Sequence, residues 1–153
     1  MIGTIVSLFL AAGTFTADRL TKKKAERRLD DGRTIRFGNG FISFRLAHNG
    51  GFAKNRLETK RKVVVAVSSV IFTACVIMYA LALSKPAYST LRTGMGIMMG
   101  GAAGNVYDRI VKGKVTDFIM ARPLKSIIFN LADVFIVTGA VVTALCELLL
   151  KRG

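Results

Sequence analysis

The chain has 153 residues, 52% of them hydrophobic, yet it carries 23 Lys and Arg against nine acids, a net charge of +14. Mean hydropathy is +0.45, and charge and apolar residues are segregated along the sequence, a pattern that excludes an ordinary water-soluble core of this size. The basic residues flank apolar runs and do not interleave with stacking aromatics, which argues against nucleic acid and for anionic lipid headgroups as a partner.

Met1 to Ala17 carries no charged side chain and predicts a membrane helix over about 2–20. Small residues near Ala11 to Gly13 would also suit a cleaved signal peptide, but no basic residues precede the apolar stretch. At its end Asp18 and Lys22 stand four apart, the spacing of an ordinary helix-face ion pair. Residues from about 23 to 62 form the one sizeable polar region. Within it, Thr34 to Phe37 and Phe41 to Leu46 alternate around Gly38-Asn39-Gly40, a hairpin signal with residues that tolerate positive φ. Ile42, Phe44 and Leu46 would share one face of this small sheet at the membrane surface, with Ser43 and Arg45 on the other. A merely solvated hairpin loop is the plainer reading.

Val63 to Ser84 is 22 residues without a charge, long enough to cross a hydrocarbon core of about 30 Å at ~1.5 Å per residue. Thr93 to Tyr107 is shorter but reaches back to about Ala87 if Arg92 snorkels to the interface. Its Gly96, Gly100 and Gly104 line one helical face and permit close approach of a neighbour. Asn105 and Arg109 share a face at the polar end of this span, as capping and snorkelling residues also would. Ser126 to Cys146 carries only Asp133 and predicts a fourth helix over about 126–150. The expected fold is therefore mainly α: a single membrane domain over 1–153, a bundle of four transmembrane helices (2–20, 63–84, 87–107, 126–150) with a small extramembrane β-hairpin. Cys75 and Cys146 fall inside apolar runs and His48 is the sole histidine, so a Cys/His metal site or nucleophile pair is not expected, and no metal or cofactor is implied.

Two acids stand where apolar runs meet short polar loops: Asp117, read as lying in a loop, and Asp133, in the first turns of the fourth helix. Carboxylates at membrane depth are costly and invite a functional explanation. They are sixteen positions apart; if the chain between them folds back, two like charges at close range cannot both ionise, and one keeps a proton. The ionised partner can then take a proton from attacking water while the protonated one stabilises the oxyanion and serves the leaving amine. That is aspartyl peptidase chemistry.

Three blocks, Gly100 to Arg109 (GGAAGNVYDR), Gly113 to Phe118 (GKVTDF) and Phe129 to Asp133 (FNLAD), resemble in order and spacing the lipoprotein signal peptidase, or type II signal peptidase, family. Asp18 and Lys22 match that family's D-x-x-x-K, and Asn49 and Gly51 its N-x-G segment, although Phe52-Ala53-Lys54 replaces the small residues that usually follow. The resemblance covers nearly the whole chain. It implies a four-helix membrane aspartyl peptidase with a β cradle, cleaving prolipoproteins before their diacylglyceryl-modified cysteine. Asp117 and Asp133 would be the catalytic dyad, and Asp18, Lys22, Asn49, Gly51, Asn105, Arg109 and Asn130 the groups that position dyad and substrate. It further implies a monomer in the bacterial inner membrane, with diacylglyceryl-modified prolipoproteins and membrane lipids as partners and an extracytoplasmic active site. Charge opposes that orientation: fourteen Lys and Arg lie in Asp18 to Lys62 and five in Asp108 to Lys125, against Lys85, Arg92, Lys151 and Arg152 on the other side. Two other classes of function fit the same residues, a non-catalytic relative that binds lipidated peptides and a small proton-coupled transporter using Asp133.

Overall fold

The protein is described by a computed structural model covering residues 2–29, 32–50, 61–85, 88, 91–124 and 127–150. Among these, the elements are α1 (Ile2–Arg28), β1 (Thr34–Phe37), β2 (Ile42–Asn49), α2 (Arg61–Ser84), α3 (Leu91–Lys112), β3 (Val115–Ala121) and α4 (Leu131–Leu150). The fold is mainly helical with one small antiparallel sheet in the order β1-β2-β3. Two helices, Lys62–Ser84 and Leu131–Leu149, are long and apolar enough to cross a membrane. Their outward side chains are apolar, among them Val70, Met78, Val137 and Leu149, as a lipid-facing surface requires.

α3 packs between α1 and α4, with α2 against its side. Glycine makes this possible. A β-carbon at Gly96 would strike the Ser7 backbone, one at Gly100 the Ala11 carbonyl and one at Gly104 the Asp18 carboxylate, so the predicted four-residue stripe is the face that α1 covers. A second set faces α4: a β-carbon at Gly94 would lie 2.6 Å from the Thr143 nitrogen, and one at Gly101 2.6 Å from the Ala132 oxygen. Contacts rise together in number along α1 and α3, which therefore run parallel, whereas α4 runs antiparallel to α3. Backbones this close gain dispersion contacts that larger side chains would block.

Arg92 does not snorkel. It is 5% exposed, and its guanidinium donates to the carbonyls of Ala82 (3.1 Å) and Lys85 (2.6 Å) and to Thr4 Oγ1 (2.9 Å). The carbonyls at the end of α2 lack helical partners, and a buried guanidinium satisfies them while tying α2 to α1 and α3. Ser7 Oγ donates to the Arg92 carbonyl at 2.5 Å and lies 2.5 Å from Tyr79 Oη; with its single proton so committed, the tyrosine is the donor. Helix α3 begins at Leu91, after the anticipated start near 87.

The hairpin forms at the anticipated turn, with Gly38, Asn39 and Gly40 at φ of 53°, 53° and 77°. The strand after it was not anticipated. β3 pairs with β2 from Ile42↔Ala121 to Asn49↔Val115, with a register shift between Phe44 and Ala47. Phe44 and Leu46 pack with Ala25, Leu29 and Phe118, while Ile42, at the start of β2, is exposed. Beyond a 3-10 turn, Phe129 bonds back to Ile119 in both directions, at 2.8 and 2.9 Å. That pairing keeps the chain extended through Phe129, so α4 begins at Leu131, later than the expected 126. At the other end of the prediction, α1 continues past residue 20 to Arg28 because its last turns lean on the sheet through Ala25, next to Leu29.

The glycine contacts predict opposite outcomes for two substitutions. Gly100→Val should lower stability by roughly 1–3 kcal/mol, since neither the Ala11 carbonyl nor α1 can retreat freely. Gly13→Ala, whose β-carbon meets nothing within 4 Å, should be neutral or stabilising by up to about 1 kcal/mol. Thermal unfolding in detergent, followed by circular dichroism, compares them.

Candidate active site

Where α1 and α3 end and α4 begins, polar side chains from four elements converge. Asn130 precedes the first residue of α4 and caps it: its Oδ1 accepts from the Asp133 backbone N–H (3.0 Å), while Asp133 Oδ2 accepts from the Asn130 N–H (3.1 Å). This reciprocal pair is a capping box, built here from Asn and Asp. It fixes the Asp133 carboxylate at the helix N-terminus, where the peptide dipoles favour negative charge. The next free amide, that of Ala132, is taken by Asp18 Oδ1 of α1 at 3.0 Å.

The capping side chain also reaches the second acid. Asn130 Nδ2 donates to Asp117 Oδ1 (2.6 Å) and to Asn105 Oδ1 (3.1 Å). Asn105 Nδ2 in turn donates to Asp133 Oδ1 (2.8 Å), and its Oδ1 also accepts from Lys22 Nζ (2.9 Å). Both amide protons of Asn130 are thereby spent, and the orientation of each amide follows from its neighbours. Two asparagines thus connect Asp117, on β3, with Asp133, on α4.

Asp117 is 4% exposed. Burial pushes its carboxyl up to about 6; the negative charge of Asp133 adds to the rise, while hydrogen bonds from Asn130 and Asn49 and the charge of Lys22 oppose it. Asn49 is thereby placed at the site, at the end of β2 opposite Val115. Arg109 approaches the Asn105 carbonyl at 3.5 Å and stands in the field of Asp133, Asp117 and Asp108. Gly51 and the segment through Lys54 lie outside the described residues. Of the other anticipated residues, all converge here: Asp18, Lys22, Asn49, Asn105, Arg109, Asp117, Asn130 and Asp133. The expectation that Asp117 lies in a loop is corrected, because pairing with β2 places it in a strand.

Beneath them is a layer of buried charge that the sequence reading passed over. Lys22 Nζ lies 2.8 Å from Asp18 Oδ2 and 3.1 Å from Asp108 Oδ2, all three fully buried. Asp108 also pairs with Arg19 (2.5 Å) and Lys112 (3.5 Å) and accepts the Thr116 amide at 3.3 Å. Glu26 completes the group, meeting Lys112 at 2.5 Å and Thr116 Oγ1 at 2.7 Å. A signal was available: Asp108 and Lys112 have the same i, i+4 spacing as Asp18 and Lys22. Asp108 grips the amide next to Asp117, so the network sets where β3 leaves α3.

A carboxyl poised near neutrality beside a second carboxylate, both joined to amide donors at one end of the bundle, can pass a proton to and from water. A family model described as signal peptidase (SPase) II matches residues 10–149. The lipoprotein signal peptidase of Caldicellulosiruptor bescii is 36% identical over 150 residues, covering 97% of this chain and 93% of its own. That of Symbiobacterium thermophilum is 32% identical and covers 97% of each chain. A solved bacterial membrane enzyme, determined by the in meso method at 1.9 Å resolution, matches with a TM-score of 0.78 over 93% of this chain and 92% of its own at 24% identity, a likeness of fold.

The buried acid makes a stability prediction. A carboxyl raised from 3.8 to about 6 in the folded state favours folding while protonated, below about pH 4, and loses that contribution as pH rises through 6. The shift corresponds to roughly 3 kcal/mol at ~1.4 kcal/mol per pH unit. Asp117→Asn should therefore unfold at higher temperature than wild type above pH 6, with the difference vanishing near pH 4. Melting curves of both proteins in detergent across pH 4–8 test this; parallel curves would contradict it.

Proposed function

The chain belongs to the signal peptidase II family, the lipoprotein signal peptidases, and on that premise we propose that it is an aspartyl endopeptidase that cuts prolipoproteins just before their diacylglyceryl-modified cysteine, with Asp117 and Asp133 as its catalytic pair. The observation that carries this reading is the double engagement of Asn130, which caps α4 through Asp133 and at the same time holds Asp117.

In this mechanism the substrate's scissile carbonyl enters between the two acids together with a water molecule. Asp133, its oxygens oriented by the Asn130 N–H and Asn105 Nδ2, takes a proton as the water oxygen bonds to the carbonyl carbon. Asp117 supplies the complementary proton: burial favours its neutral form, which donates to the developing oxyanion. Collapse of the tetrahedral intermediate breaks the C–N bond, and the cysteine amine leaves with a proton returned through the pair. Asn105 and Asn130 position the acids, Asp18 and Lys22 hold the amides and side chains behind them, and Arg109 and Asn49 flank the space where peptide would lie. Gly51 is proposed to serve beside Asn49. No cofactor enters the chemistry.

All four helices are proposed to span the bilayer as a single membrane domain in the bacterial inner membrane. The alternation of direction supports this: the end of α2 meets the start of α1 through Tyr79 and Ser7 and, through Arg92, the start of α3, while α4 opposes α3. The acids then sit at one membrane face, where a lipidated substrate can keep its acyl chains in the bilayer while its peptide reaches the site. An extracytoplasmic face is proposed despite the charge count, since the positive-inside rule governs short loops and not folded segments such as this sheet. The chain is proposed to act as a monomer.

Cleavage of a diacylglyceryl-modified prolipoprotein in detergent or lipid tests the dyad. Asp117→Asn and Asp133→Asn should each lose activity by at least about 100-fold while remaining folded. Full activity in either variant would remove that residue from the chemistry. Asn130→Ala, which loses both the cap and the Asp117 contact, should lower activity and also destabilise the protein by about 1 kcal/mol or more.

A further inference from the structure

Lys24 and Arg28 stand one turn apart on the part of α1 that runs beyond the buried Asp18 and Lys22. Both are exposed, and among the described residues neither meets an acid. Glu26, between them in sequence, is engaged by Lys112 and Thr116. Beside these two cations is a cleft of about 400 Å³ between α1 and the sheet, floored by Ile35, Phe37, Phe44 and Phe118. The floor is open: Phe37 is 70% exposed and Ile35 45%.

We propose that this cleft holds an anionic phospholipid, with its phosphate between Lys24 and Arg28 and an acyl chain along Ile35, Phe37 and Phe44. Charge complementarity selects the occupant. Any acyl chain would satisfy the apolar floor, but a neutral diacylglyceryl group offers the two adjacent cations no charge, whereas a phosphodiester meets both with charge-assisted hydrogen bonds. The position suits it as well, since the cations lie beyond the buried Asp18 and Lys22 on α1 and enter the zone where headgroups lie. A lipid seated there would brace the sheet against α1 next to Phe118, the neighbour of Asp117. The proposal needs the membrane placement of the chain, not the catalytic roles of its acids.

The test counts lipids retained by the purified chain. Wild type, Lys24→Gln/Arg28→Gln, Lys24→Arg/Arg28→Lys and Phe37→Ser are placed in phosphatidylcholine nanodiscs containing phosphatidylglycerol, and bound lipid is identified by native mass spectrometry after release. Wild type and the charge-keeping swap should retain phosphatidylglycerol preferentially. The glutamine pair should lose that preference roughly tenfold, with an unchanged melting temperature. Phe37→Ser should retain less of either lipid. No preference in wild type, or an unchanged preference in the glutamine pair, overturns the proposal. A photo-crosslinker at position 37 that captures the acyl group of a prolipoprotein in preference to phosphatidylglycerol also overturns it, assigning the cleft to substrate. Because the readout is binding, loss of peptidase activity with lipid retention intact would count against the catalytic reading alone.

Discussion

The structure turns on one side chain doing two jobs. Asn130 must accept from Asp133's amide to start α4, and its amide must donate to Asp117 to hold β3 against that start. Neither bond is strong alone, each contributing about 1 kcal/mol net. Together they make the entry of a helix and the position of a strand a single geometric decision. The return of the chain from β3 through Phe129 to Asn130 is likewise fixed by backbone bonds to Ile119, so the stretch between the two acids has little freedom left to place them otherwise.

Behind that junction, burial and charge act against each other. Asp18, Lys22 and Asp108 are fully buried, and taking such groups from water costs several kcal/mol each unless partners are complete. Here partners come from three elements: Asp18 serves the α4 amide, Asp108 serves the Thr116 amide, and Lys22 joins them to Asn105. The arrangement secures geometry more than stability. Gly104 belongs to it, since only a residue without a β-carbon lets the Asp18 carboxylate lie against α3. Asp117 lies above this layer, where burial, reinforced by the charge of Asp133, outweighs the hydrogen bonds from Asn130 and Asn49 and raises its carboxyl.

Much of this was legible from residue types and spacing. The hairpin turn was readable because only Gly and Asn tolerate three successive positive φ values at low cost, and the glycine stripe because a four-residue repeat marks one helical face. Other features were hidden for physical reasons. Val115 to Ala121 is a short run whose strand character depends on an edge that β2 offers, and its partner lies some seventy residues earlier in sequence. The start of α4 was obscured because Ile127, Ile128 and Phe129 are as apolar as the helix they precede. The Asn130-to-Asp133 spacing, a capping signature with Asp in place of Glu, would have placed it. Asp108 was passed over because a charged residue near a helix end is ordinarily solvated, and only the fold shows three cations converging on it.

The same distinction between satisfied and free charge bears on the basic character of the chain. Counted along the sequence, the dyad end holds most of the Lys and Arg, and the positive-inside rule would place it in the cytoplasm. The structure divides that count. Lys22 is buried and Arg19 and Lys112 are half-buried, each matched to Asp18, Asp108 or Glu26, and so they present little net charge to a translocating loop. On the opposite end Arg92 is internal too, spent on the carbonyls of α2. Of what remains at the dyad end, Lys23, Lys24, Arg27 and Arg28 lie on the last turns of α1 and Arg33, Arg36 and Arg45 on or next to the hairpin, a folded surface beside exposed Ile35, Phe37 and Phe41. Basic and apolar groups so mixed are arranged to contact an anionic interface from whichever side the segment folds. On the proposed membrane placement, charge here reports a surface that would rest on lipid, and carries less information about which leaflet that lipid belongs to.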